Sequence, residues 1–127
     1  MTWTYEQDSG MLLQDGREVA VGYAGGGEGK NNPEMQEVRN IGPIPQGIYT
    51  IGEPRNTGKH GPYVLDLTPD PDNEMFGRSE FLIHGDSISK PGEASQGCII
   101  LPRSVREAIV ESGDRQLVVI KGDENVG

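Results

Sequence analysis

Glycine and proline interrupt this chain too often for long helices to form. Nineteen glycines and nine prolines fall among 127 residues. In a helix interior glycine costs about 1 kcal/mol and proline about 3 kcal/mol relative to alanine, which excludes a helix bundle. Glycine does not recur at every third position, so a collagen-like repeat is excluded too. Hydrophobic residues make up 33% and aromatic residues 6% of the chain, so any core is small. The length suits one core and one domain. A single turn-rich, mainly β domain over residues 1–127 is the expectation.

Charge narrows the partners. Eleven basic residues stand against twenty acidic ones, a net charge of −9. Nucleic-acid binding draws on a concentrated basic surface that displaces counterions from phosphates, and none is visible here. The same sign disfavours an anionic membrane surface, and no apolar run approaches the roughly 20 residues that span a bilayer. The opening Met1-Thr2-Trp3-Thr4-Tyr5-Glu6-Gln7-Asp8 has neither a basic nor an apolar signal region, so no secretory leader is expected at this start. The one cysteine, Cys98, rules out an intrachain disulfide.

Alternating residues predict short strands near 2–5, 11–13, 17–21, 47–51, 63–67, 81–84 and 117–120. Asp15-Gly16 provides the left-handed backbone of a tight hairpin. One helix is expected near residues 102–112, with Pro102 at its first position, Val105, Ala108 and Ile109 on one face, and Gly113 closing it. These elements predict a mixed β-sandwich or open barrel. The glycine-rich stretch from Gly25 to Pro33 is expected to be a mobile surface loop. It is no phosphate loop, because Ala24 and Asn31 stand where glycine and Ser or Thr are required.

The chemistry concentrates between His84 and Cys98. His84 ends the apolar run Phe81-Leu82-Ile83, so a strand presents its imidazole at a sheet edge. Cys98 lies in Ser95-Gln96-Gly97-Cys98-Ile99, where a loop enters a new apolar run. A nucleophilic cysteine needs a nearby base and backbone N–H groups for a developing oxyanion. His84 as base, with the amides of Gly97 and Cys98 as donors, meets that need. The carbonyl of Gly85 or the carboxylate of Asp86 is expected to orient the imidazole. Rapid alkylation of Cys98 near neutral pH is the expected signature of the enzyme reading. The other histidine, His60, sits among turn residues and reads as an exposed loop side chain. Two histidines and one cysteine at unpaired spacings give no zinc site. Asp70, Asp72 and Glu74 lack the glycine and closing glutamate of a calcium loop, and read as solvated acids.

His84-Gly85-Asp86 followed by Ser95-Gln96-Gly97-Cys98-Ile99 resembles the His-Gly…Ser-x-Gly-Cys signature of YkuD-like L,D-transpeptidases. Gly42-Pro43-Ile44-Pro45-Gln46-Gly47-Ile48-Tyr49 is similar to the strand entry of that family. Lys30-Asn31-Asn32 and Pro91-Gly92 bring the chain nearest to the compact L,D-transpeptidase-like effectors of type VI secretion. The resemblance implies a YkuD-like fold and a cysteine enzyme forming a thioester with peptidoglycan tetrapeptide stems, with no cofactor. The acceptor (water, a D-amino acid or a second stem) stays open. The resemblance also implies a monomer made in the cytoplasm, delivered by a secretion component into a target cell's periplasm, and neutralised by an immunity protein. Two departures stand out: Gln96 replaces a second histidine found in many relatives, and Ile100 replaces an arginine. Ser95 and Gln96 are then expected to contact substrate, and Arg103 or Arg78 to anchor a substrate carboxylate. A non-enzymatic wall-binding or inhibitor module with a buried structural cysteine is the rival reading, and a cysteine hydrolase of another amide a third.

Overall fold

The computed structural model describes residues 2–122. Nine strands form one sheet: β1 Trp3–Glu6, β2 Met11–Gln14, β3 Arg17–Val21, β4 Tyr23–Ala24, β5 Gly47–Thr57, β6 Gly61–Pro69, β7 Phe81–His84, β8 Ile99–Ile100 and β9 Gln116–Ile120. The order across the sheet is β3-β2-β1-β9-β5-β6-β7-β8-β4. The pairs β1/β9 and β7/β8 are parallel, and the remaining pairs are antiparallel. The protein is mainly β, and among the described residues the one α-helix is α1 at Arg103–Ser112. No helix among the described residues is long and apolar enough to cross a membrane.

The two edges of the sheet are neighbours in the chain. Edge strand β3 ends at Val21 and the opposite edge β4 begins at Tyr23, so Gly22 alone joins them. Its N–H donates to the Gly10 carbonyl at 2.7 Å, and a Cβ there would stand 2.0 Å from the Ile100 carbonyl oxygen. The sheet is therefore curled until its edges meet at that point, an open barrel rather than two stacked sheets. Inside the curl, alternate residues of β1, β5 and β9 (Trp3, Tyr5, Tyr49, Ile51, Leu117 and Val119) are buried together. Period-two side-chain placement gives this directly.

Local expectations are met where turn chemistry decides. Asp15 and Gly16 both take positive φ, 50° and 85°, as a two-residue hairpin of this hand requires. Gly113 closes α1 at φ 73°. Pro102, expected at the first helical position, is instead the cap, with extended backbone. Strands β5 and β6 run well past the expected segments, forming a long hairpin with irregular pairing at Ile51/Pro54 and Arg55/Thr57. Its tip, residues 58–60, reaches the site described below.

The glycine-rich segment is not a free surface loop. Gly25 and Gly29 are buried, and a Cβ on either would stand within 2.7 Å of the Ile41 carbonyl oxygen. The segment packs behind the loop carrying Cys98, and only glycine fits that close approach. Asp70, Asp72 and Glu74 lie in the β6–β7 connection, where Asp70 and Glu74 cap the backbone amides of Asp72 and Phe76.

Candidate active site

Strands β7 and β8 bring His84 and Cys98 together. Their parallel register pairs Ile83 with Ile99 and His84 with Ile100. Cys98 directly precedes β8, so side-chain alternation places Cys98 and His84 on the same face, while Ile83 and Ile99 point into the core. Both line one wide cleft of about 1630 Å³, bounded by the β5–β6 hairpin tip and the loop after β7. Cys98 is half-buried.

The imidazole is fixed by the chain itself. His84 Nδ1 lies 2.9 Å from the Gly85 carbonyl oxygen. That oxygen can only accept, so Nδ1 carries the proton and Nε2 keeps its lone pair. Of the two candidates for orienting His84, the geometry selects Gly85. Asp86 is engaged elsewhere: its carboxylate accepts from the Tyr23 hydroxyl at 2.6 Å and from the amides of Ser87 and Gly92. Asp86 thus ties down the 86–92 loop. Gly85 also leaves room for Arg106, since a Cβ there would stand 2.9 Å from the guanidinium.

His60 is not the exposed loop side chain expected from its neighbours. The hairpin tip lays its ring against His84, with centroids 4.3 Å apart and planes tilted by 34°. The tip is closed by the Thr57 hydroxyl, which accepts from the His60 N–H at 2.7 Å. Arg106 of α1 holds the hairpin from below, donating to the carbonyls of Pro62 and Tyr63.

Ser95 is a staple rather than a substrate contact. Its buried hydroxyl donates to the Cys98 carbonyl at 2.6 Å and accepts from the N–H groups of Gly25 and Gly97. One donor and two acceptor positions are all a serine offers, so nothing is left for a ligand. The same bond corrects the expected role of Gly97. Its N–H is spent on Ser95 and is not free to face an oxyanion. Replacing Ser95 by alanine strands buried backbone groups and is expected to cost about 2–4 kcal/mol of stability. Chemical unfolding measures it, and a loss below about 1 kcal/mol would show that the loop finds other partners.

The two arginine candidates are both committed. Arg103 lies outside the cleft, stacked on Tyr63 with its guanidinium carbon 4.4 Å from the ring centroid and paired with Glu107. Arg78 is buried beneath the cysteine loop and donates to the carbonyls of Gln36, Pro43, Gly42 and Gln96. It ties the segment before β5 to the chain preceding Cys98. Gln96 itself is exposed on the cleft wall, where a ligand can meet it.

Electrostatics set the resting protonation. Burial pushes the Cys98 thiol above its usual pKa, against opposing pulls from the Leu82 N–H and the positive charges of Arg78 and Lys59. Burial likewise holds His84 below the usual imidazole value of 6.5; the Gly85 carbonyl opposes this, while His60 and Arg106 add to it. At neutral pH the pair therefore rests as thiol and neutral imidazole. Both shifts work against the rapid alkylation expected from the sequence, because burial disfavours the thiolate. Among the described residues, no group of three or more His, Cys, Asp or Glu side chains is placed to hold a metal ion.

A mainly β sheet whose one cysteine and His84 line the same open cleft carries the residue types that cysteine enzymes use. Comparison with known protein families matches residues 18–121 to the Tlde1 domain, and the chain belongs to that family, the type VI secretion L,D-transpeptidase-like effectors. No curated protein and no solved structure was found to match it.

Proposed function

We propose that the protein cleaves peptidoglycan tetrapeptide stems through a Cys98 thioester, as an antibacterial effector acting in the periplasm of a target cell. The observation that carries this reading is the shared face of Cys98 and His84 in the cleft, with the Nε2 lone pair free. As Cys98 Sγ attacks the carbonyl carbon at the L-centre of diaminopimelate, its proton passes to His84 Nε2. The Cys98 N–H, which Ser95 does not take, faces the oxyanion. Collapse breaks the C–N bond, His84 gives the proton to the departing amine of D-alanine, and a thioester remains. Water, a D-amino acid or the side-chain amine of a second stem then attacks the thioester with His84 as base. An open cleft on a small acidic domain favours trimming and exchange over wall building.

Incubating the protein with purified muropeptides and reading the products by mass spectrometry tests this. Loss of terminal D-alanine, or its replacement by added D-methionine, is expected. In cells, periplasmic targeting should be toxic and cytoplasmic expression tolerated, with toxicity relieved by the cognate immunity protein. An unchanged tetrapeptide pool, with a folded periplasmic protein that harms nothing, would instead favour the wall-binding module.

A further inference from the structure

The chain holds two histidines, and the fold sets one ring against the other. His60 at the β5–β6 hairpin tip and His84 at the end of β7 meet with centroids 4.3 Å apart and planes tilted by 34°. Both line the cleft that holds Cys98.

The contact is held from two sides. The buried Arg106 guanidinium donates to the carbonyls of Pro62 at 3.1 Å and Tyr63 at 2.9 Å, just past the tip. Its Nε donates to the Leu101 carbonyl at 3.0 Å, and Gly85 lies against its far nitrogen. The His84 carbonyl in turn accepts from the Leu101 N–H at 3.1 Å. One side chain thus gathers the hairpin, the end of β7 and the end of β8. On the other side, the Thr57 hydroxyl accepts from the His60 N–H at 2.7 Å and closes the tip.

What the stack supplies follows from what His84 lacks. The bond between Nδ1 and the Gly85 carbonyl fixes one atom and the tautomer, but not the ring plane. The χ2 torsion of histidine is broad, so a ring held at one atom still swings and carries Nε2 with it. A second ring laid on its face removes that freedom.

We propose that His60 is the positioning residue of the base: its ring fixes the plane of the His84 imidazole, so that Nε2 keeps the direction that proton transfer with Cys98 needs. This rests on the catalytic reading above and adds a residue to it. His60 itself passes no proton to substrate, so another flat ring can take its place. Phenylalanine keeps the face without the charge, and alanine removes both. The charge gives a second signature. His60 and Arg106 oppose protonation of His84, while the Gly85 carbonyl and Asp86 favour it; His60 is faced in turn by Lys59 and Arg55. Without the His60 charge, His84 takes its proton more readily.

Kinetics and histidine-ring NMR on His60→Ala and His60→Phe test this. In His60→Ala, kcat for the tetrapeptide stem should fall about 10- to 100-fold, the cost of a misplaced group, with KM unchanged. His60→Phe should turn over close to the parent, with the acid limb of its pH profile moved to higher pH. In the ring nitrogen-15 spectrum at neutral pH, the parent and His60→Phe should show His84 as the Nδ1–H tautomer alone. His60→Ala should show both tautomers. An unchanged kcat in His60→Ala, a loss carried by KM, or a single His84 tautomer in that variant overturns the proposal. So does a His60→Phe protein as slow as His60→Ala, or one whose acid limb has not moved. Should the parent fail to cleave the stem, the catalytic reading falls, while the ring spectrum still decides whether His60 holds His84.

Discussion

Replacing Cys98 by alanine is expected to abolish stem-peptide turnover, by about 10⁴-fold or more, and to leave the protein folded. The two halves of this result have separate causes. Cys98 is the one cysteine of the chain, so the substitution removes the thiol nucleophile itself. The fold loses little, because the residue is half-buried and its sulfur meets only weak partners, the Leu82 N–H and the Glu80 carbonyl at 4.0 Å. A cost of about 1 kcal/mol or less is expected. Retained turnover in the alanine protein would sink the nucleophile assignment. The pH profile of the active protein checks the partner. Because His84 is held below 6.5, the neutral base predominates at pH 7, and activity should fall on acidification. The sign for stability is the same. As pH drops below 6.5 the unfolded histidine binds a proton that the folded one still resists, so the folded state loses stability over that interval. A rate that climbs on acidification would exclude His84 as the base.

How much of this site was legible in the chain depended on sequence distance. His84-Gly85 and Ser95-Gln96-Gly97-Cys98 could be read because each acts through residues within a few positions of itself. The Gly85 carbonyl, for one, lies one residue from the ring that it orients. Misreadings arose where a nearby residue turns away. Asp86 follows Gly85 directly, yet the loop carries its carboxylate to Tyr23, from a strand more than sixty residues earlier. Arg103 is five residues past Cys98, but the first turn of α1 swings it onto Tyr63.

What the chain concealed is long-range. Nothing around His60 or Lys59 signals that an eleven-residue β5 carries the hairpin tip over His84. Arg78, between Gly77 and Ser79, carries no local mark of being buried under four carbonyls. The same holds for the curl of the sheet: strand patterns at 17–21 and in the apolar run after Cys98 were visible. Their meeting across Gly22 depends on a backbone approach that leaves no trace beyond one glycine among nineteen. Ser95 was legible as part of a motif and misread in role, since only its three bonds show that its hydroxyl is exhausted.

Gly97→Ala should be the most damaging single-methyl change in the site. Gly97 sits at φ 144°, a conformation that L side chains rarely adopt. Its added Cβ would stand 2.6 Å from Arg78 Nη2, 2.9 Å from Phe81 Cε1 and 3.2 Å from the Gly42 carbonyl oxygen. A flexible side-chain end could ordinarily swing aside, but Arg78 is bonded to the carbonyls of Gln36, Pro43 and Gly42, and Phe81 belongs to the core. The backbone cannot yield either, because the Gly97 carbonyl accepts from the Ile44 N–H at 2.9 Å while its N–H is held by Ser95. Strain and overpacking together should cost about 2–4 kcal/mol, a fall of roughly 10 °C in Tm for a domain of this size. Turnover should drop as well, since the residue displaced adjoins the nucleophile. Thermal melting of the variant, followed by Trp3 fluorescence, supplies the measurement. A melting temperature equal to the parent's would mean that the Arg78 cradle is soft, and that the cysteine loop is held by Ser95 alone.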